Sequence, residues 1–116
     1  MAQAQGMGVI AKRPIANVAW QYDAPPANGY IVPYWERFQQ LQFPFVSKPL
    51  AEVVGIALRF TLSVPGVATA IVGTRTPGRW QQNADLINQG ALESSIYHEL
   101  RTRWMEAANP DWLAKT

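Results

Sequence analysis

The chain has 116 residues, no cysteine, and a net charge of +2 from ten Lys and Arg against eight Asp and Glu. That length suits one modest domain, and 48% hydrophobic against 16% charged residues is a globular balance rather than a disordered one. The charge is too small and too scattered to mark a nucleic-acid partner. The lack of cysteine excludes disulfides and thiolate chemistry, and no apolar run approaches the ~20 residues of a membrane span. No basic segment followed by an apolar core opens the chain, so the expected compartment is the cytoplasm. No internal repeat is visible.

Residues 1–7 are Ala/Gln-rich and read as the tail of a helix whose beginning is absent. Residues 8–12 form a short apolar strand that Arg13-Pro14 ends, because proline cannot continue a ladder. A loop follows at 17–28, punctuated by Pro25, Pro26 and Gly29. Residues 30–42 read as a short helix with Pro33 near its start and Trp35, Phe38 and Leu41 on one face. After a connector at 43–49, a firmer helix at 50–62 carries the stripe Leu50, Val53, Val54, Ala57, Leu58 and Thr61. Val64-Pro65-Gly66 stops it.

The apolar run at 67–72 reads as a strand covered on both faces, as in a parallel sheet. Gly73 closes it. Thr76 is a suitable N-cap and Pro77 a suitable first helical residue for a helix to about Asn88. In that helix Trp80, Ala84 and Ile87 stand at packing spacing. A last helix at 92–107 carries Leu92, Ile96, Leu100 and Trp104 before Asn109-Pro110 ends it. Trp35, Trp80 and Trp104 thus read as core residues. Two apolar strands joined by a helical crossover make a parallel βαβ unit. Two strands neither close a barrel nor make a stable open sheet, so the unit reads as part of something larger.

The stretch 68–83 carries the chemistry. Helix starts leave N–H groups that attract anions, and Arg79, Gln82 and Asn83 share one helix face there. A cation with two amides suits a phosphate beside a polar heterocycle. An ordinary strand-to-helix turn with a solvated Arg79 is the other reading of the same residues.

The segments GVIAKRPIAN (8–17), ALRFTL (57–62) and IVGTRTPGRWQQN (71–83) together resemble the C-terminal part of the aldo-keto reductases, over essentially the whole chain. The resemblance implies an α/β fold that is the C-terminal part of a (β/α)8 TIM barrel: the seventh and eighth strands, in parallel with a helical crossover, and the C-terminal helices. Residues 1–116 would then be a single incomplete domain, since such a barrel typically needs ~250 residues. It implies NADP(H) as cofactor, bound after strands 7 and 8, where such barrels commonly hold phosphates. By resemblance, Arg79 clamps the 2′-phosphate and Thr76 assists it. Thr74 and Arg75 lie in the contacting loop, Gln82 stands near the adenine and Asn83 contacts its amine. Ile15 contacts the pyrophosphate through its backbone, and the positive pair Lys12 and Arg13 faces the same pyrophosphate, the other reading of that pair being a solvated strand end. Two of these depart from the family: Lys12 stands where many members have a stacking Tyr, and Arg13 replaces a small hydroxyl residue.

The family's catalytic Asp, Tyr, Lys and His belong to N-terminal strands that match nothing here. Tyr22, Tyr30, Tyr34 and Tyr97 match no proton donor, and His98 falls off the apolar stripe of its helix and reads as a surface residue. The acids are dispersed, so no metal site is expected. The function expected is the NADP-binding part of an enzyme reducing a small-molecule carbonyl, not catalytic alone. The alternative is a non-catalytic interaction module that assembles with another copy or with a separate N-terminal half. Only 17–29 and 109–116 could shape a substrate pocket.

Overall fold

A computed structural model describes residues 2–112; the end of the segment 109–116, expected to help shape a substrate pocket, lies outside them. Strand β1 (Val9–Lys12) is followed by a 3-10 segment (Ala16–Gln21), helix α1 (Val32–Leu41) and a 3-10 turn (Pro44–Ser47). Helix α2 (Leu50–Ser63), strand β2 (Val67–Ile71) and helices α3 (Arg79–Ile87) and α4 (Ser94–Ala107) complete the chain. The result is an α/β fold with two parallel strands and several helices. Near the N-terminus Gln3–Gln5 is a single 3-10 turn closed by Gly6 in the left-handed region.

β1 and β2 pair in parallel, as the crossover predicts, with Ile10 opposite Thr69, Ala11 opposite Ala70 and Lys12 opposite Ile71. The register shifts between Val9 and Ile10, which leaves Ala68 as an extra residue. Strand alternation places Ile10, Lys12, Thr69 and Ile71 on one face and Ala11 and Ala70 on the other. The alanine face is half-buried, and α2 packs against β2. The opposite face is bare: Ile10 is 62% exposed and Ile71 61%. The expectation of a strand covered on both faces is therefore corrected. The described residues supply helices to one side of the sheet, and an apolar run states a preference for burial without supplying the layer that buries it. The radius of gyration, 14.5 Å, slightly exceeds the roughly 13 Å of a packed domain this long.

α2 is the central helix. Val53 and Leu58 are fully buried, and Val54, Gly55 and Ile56 are buried beside them. It begins at Leu50 with Pro49 as N-cap, whose carbonyl accepts from Glu52 and Val53 at 2.9 and 3.1 Å. Ile56 forms a core cluster with Leu92 and Leu100, flanked by Phe43, Phe45, Phe60, Ile96 and Tyr97. Phe60 and Tyr97 stack with centroids 5.1 Å apart. Two arginines fasten the helices through backbone carbonyls. Arg59 of α2 donates from Nε to Gly90 and from Nη2 to Ala91, both at 2.8 Å. Arg103 of α4 donates to the carbonyls of Leu41 and Gln40 at 2.5 and 3.3 Å, meeting the orphan acceptors at the end of α1.

The tryptophan expectation is corrected in two places. Trp80 is 67% exposed and Trp104 38%. α3 turns Asn83 and Leu86 toward α2 in place of Trp80, because Leu86 fits against the side-chain-free Gly55. Trp104 lies over Trp112, with centroids 5.6 Å apart. Trp35 is half-buried and donates its indole N–H to the Tyr22 carbonyl at 2.8 Å.

Candidate functional site

The site lies at the carboxyl ends of the two strands. The segment after β2 folds locally as its composition dictates. Thr74 Oγ1 accepts from the Thr76 N–H at 3.1 Å. The Thr76 carbonyl accepts from the Arg79 N–H at 3.2 Å, closing a turn with Pro77 second and Gly78 third. Gly78 has φ 78 and ψ −11, which makes the turn type II, the type that takes proline then glycine at its centre. The N-cap of α3 is therefore Gly78, not Thr76, and Pro77 lies outside the helix. Gln81 and Gln82 donate to the Gly78 carbonyl at 3.1 and 3.2 Å. The turn thus takes up most of the N–H groups that the sequence reading left for an anion, and side chains must do more of any binding.

Those side chains converge. A cleft of about 220 Å³ is lined by Ile15, Thr74, Thr76, Arg79 and Asn83, with Val18, Leu50 and Val54 among its apolar walls. Arg79 and Asn83 also border an adjoining groove of about 370 Å³ with Gln82 and Leu86. On the other side, Ile15, Val18, Val72 and Gly73 are shared with a groove of about 500 Å³ that reaches Lys12 and Arg13. The three run on from one another, so the residues singled out from sequence fall along one path across the strand ends. Arg75 stands exposed in the same loop.

Electrostatically, the path carries Lys12, Arg13 and Arg79 against one acid, Asp85. Arg79 is half-buried and its guanidinium has no hydrogen bond or ion pair among the described residues. Arg13 differs: its guanidinium lies 5.2 Å from the Tyr30 ring centroid, and Nη1 donates to the Tyr34 hydroxyl at 3.5 Å. It is held toward the start of α1 by a cation–π contact. Lys12 is the exposed last residue of β1.

Asn83 stands out. It is 8% exposed, the buried polar residue of the described chain, and its side-chain amide has no partner among the described residues. Unlike Asn17 Nδ2 and Trp20 Nε1, its amide atoms are not fully enclosed, so water in the cleft reaches them. Here the amide borders the cleft with a donor and an acceptor both uncommitted.

The loop between β1 and α1 is strained. Arg13, Ala16, Asn17 and Val18 have φ of 57, 42, 54 and 56, where a β-branched residue such as Val18 is an outlier. Such strain often gathers where a loop is shaped for a ligand. The Asn17 Nδ2 is enclosed there without a hydrogen-bond partner. Sequence reasoning missed Val18 and Gln21: Asn17 tolerates the left-handed region, but Ala16 and Val18 beside it give no sign of adopting it too. Leu50 and Val54 were legible as an apolar stripe but not as walls of a cleft. His98 stays on the surface, its Nδ1 beside the Ser94 carbonyl at 2.6 Å.

The fold and site thus define an α/β chain with a basic groove at the carboxyl ends of a parallel strand pair, the position where such sheets commonly hold ligands. No protein-family model, curated protein or solved structure matches the chain. Among the described residues no cluster of His, Cys, Asp or Glu could hold a metal, and no helix is long and apolar enough to cross a membrane.

Proposed function

We propose that this chain is the NADP(H)-binding, C-terminal part of an aldo-keto reductase barrel. The observation that carries the reading is the unpartnered amide of Asn83, open to the cleft, beside the uncommitted guanidinium of Arg79. An amide with a free donor and acceptor complements the edge of an adenine, and an unpaired Arg complements a 2′-phosphate. Thr74 and Thr76 border the same cleft, and Ile15, Lys12 and Arg13 line the groove beyond it, where a pyrophosphate would lie. When bound, NADPH supplies hydride to a small-molecule carbonyl. The residues of this chain hold and orient the nucleotide, and the family's acid-base residues have no counterpart among them.

Arg79 and one helper contribute about 3–6 kcal/mol as charge-assisted hydrogen bonds. Association consumes an estimated ~4–15 kcal/mol. The isolated chain is therefore expected to bind NADPH with an affinity on the order of millimolar or weaker. Titration followed by amide chemical shifts tests this. NADPH should perturb Thr74, Thr76, Arg79 and Asn83, NADH should do so less, and Arg79→Ala should reduce NADPH affinity about tenfold or more. Equal response to NADPH and NADH, or an unchanged affinity in Arg79→Ala, defeats the reading.

The bare face of the sheet, with Ile10 and Ile71 both about three-fifths exposed, favours a second reading. In it the chain is an interaction module whose sheet is completed by another copy or by a separate polypeptide carrying further strands. Sedimentation of the purified chain decides this: a monomer at all concentrations, with no partner strand bound, removes it.

A further inference from the structure

A second cavity, of about 330 Å³, lies among α1, α2, α4 and the loop after β1. Its walls are aromatic: Trp20, Phe38, Phe43, Phe60 and Trp104 line it. Trp20 meets Phe38 edge-on at 5.3 Å, and Phe38 meets Phe43 edge-on at 6.2 Å. The walls are thus fixed by ring-on-ring packing. The volume is that of a pocket for a small organic molecule. Arg101 of α4 borders the cavity and is exposed. It has no hydrogen bond or ion pair among the described residues. Its helix neighbours at three and four residues, Tyr97, His98, Trp104 and Met105, include no carboxylate to neutralise it. The indole N–H of Trp20 is enclosed and has no acceptor, which is uncommon for a buried donor.

We propose that this cavity binds a small aromatic carboxylate, its ring among the aromatic walls and its carboxylate on Arg101. The inference does not depend on the nucleotide reading, since Arg79 and Asn83 take no part in it. An apolar cavity with one cation at its border selects for an anion carrying one ring. A neutral ring lacks the ion pair, and a cationic ring meets repulsion.

The test uses the full chain, labelled with nitrogen-15, and three probes of one shape: phenylacetate, toluene and benzylamine. Phenylacetate should shift the Trp20 and Trp104 indole resonances saturably, with benzylamine about tenfold weaker or worse. Arg101→Gln, at an exposed position, should bring phenylacetate down to the affinity of toluene while leaving toluene unchanged. The proposal is overturned by the absence of a saturable Trp20 shift with phenylacetate. It is equally overturned by benzylamine binding as well as phenylacetate, or by Arg101→Gln retaining phenylacetate affinity.

Discussion

Gly8 and Ala68 meet across the two strands so closely that a Cβ at position 8 would lie 3.1 Å from the Cβ of Ala68. Ala68 is the extra residue at the shift in register, where the ladder is locally disrupted and the strand bends. Its Cβ is fixed to the backbone and cannot rotate aside. Gly8→Ala should therefore destabilise the chain by about 1–2 kcal/mol through overpacking, read as a lower urea midpoint.

Gly55 presents the opposite case. A Cβ there would lie 3.2 Å from Leu86 Cδ2, a terminal methyl, and at ordinary contact from the rest of that side chain. Leu86 borders open grooves on two sides, so its methyl has room to turn. Alanine in a helix interior gains about 0.5–1 kcal/mol over glycine. Gly55→Ala should raise the urea midpoint slightly, whereas Gly55→Leu should lose about 1–3 kcal/mol by pushing α3 away.

The turn into α3 needs a left-handed residue at position 78, where φ is 78. Gly78→Val should lose about 1–2 kcal/mol and weaken the Thr76–Arg79 hydrogen bond. Amide exchange should then speed up at Arg79 and Gln81 while α2 keeps its protection.

Asn83 should show stability and binding pulling apart. Replacing an amide that reaches the cleft with an apolar side chain of similar size trades its hydration for apolar contact and removes no hydrogen bond within the fold. Asn83→Leu should leave stability within about 1 kcal/mol of the parent chain and abolish the nucleotide-induced shifts at Thr74 and Thr76. A destabilised Asn83→Leu would mean that the amide already has its partner within the fold.

The long elements were legible in the sequence because their periodicity is strong. The stripe at 50–62 became α2 (Leu50–Ser63), and the helix at 92–107 became α4 (Ser94–Ala107). The parallel pairing followed from the helical crossover between two apolar runs. The start of α3 was misplaced because 76–79 carries two competing signals. Thr76 with Pro77 resembles a cap and first helical residue, and Pro77 with Gly78 resembles the centre of a type II turn. The second prevails because glycine takes positive φ without a steric penalty. Of the candidate site, Arg79, Asn83, Thr74 and Thr76 were named from sequence and do line one cleft. Its other wall was not legible, because Ala16 and Val18 adopt a backbone that their side chains disfavour.

The two strands that carry the site are remote along the chain. Val9 pairs with Val67, so forming the sheet closes a loop of roughly 60 residues, at about 4 kcal/mol of entropy beyond the constant term. Only four residue pairs repay it. Helix α2, with its fully buried Val53 and Leu58, can consolidate with its neighbours before that closure occurs. The strand pair is then expected to open before α2 does, which would be read as faster amide exchange at Ala11 and Ala70 than at Val53 and Leu58. The groove at its end exists only for as long as that short ladder holds.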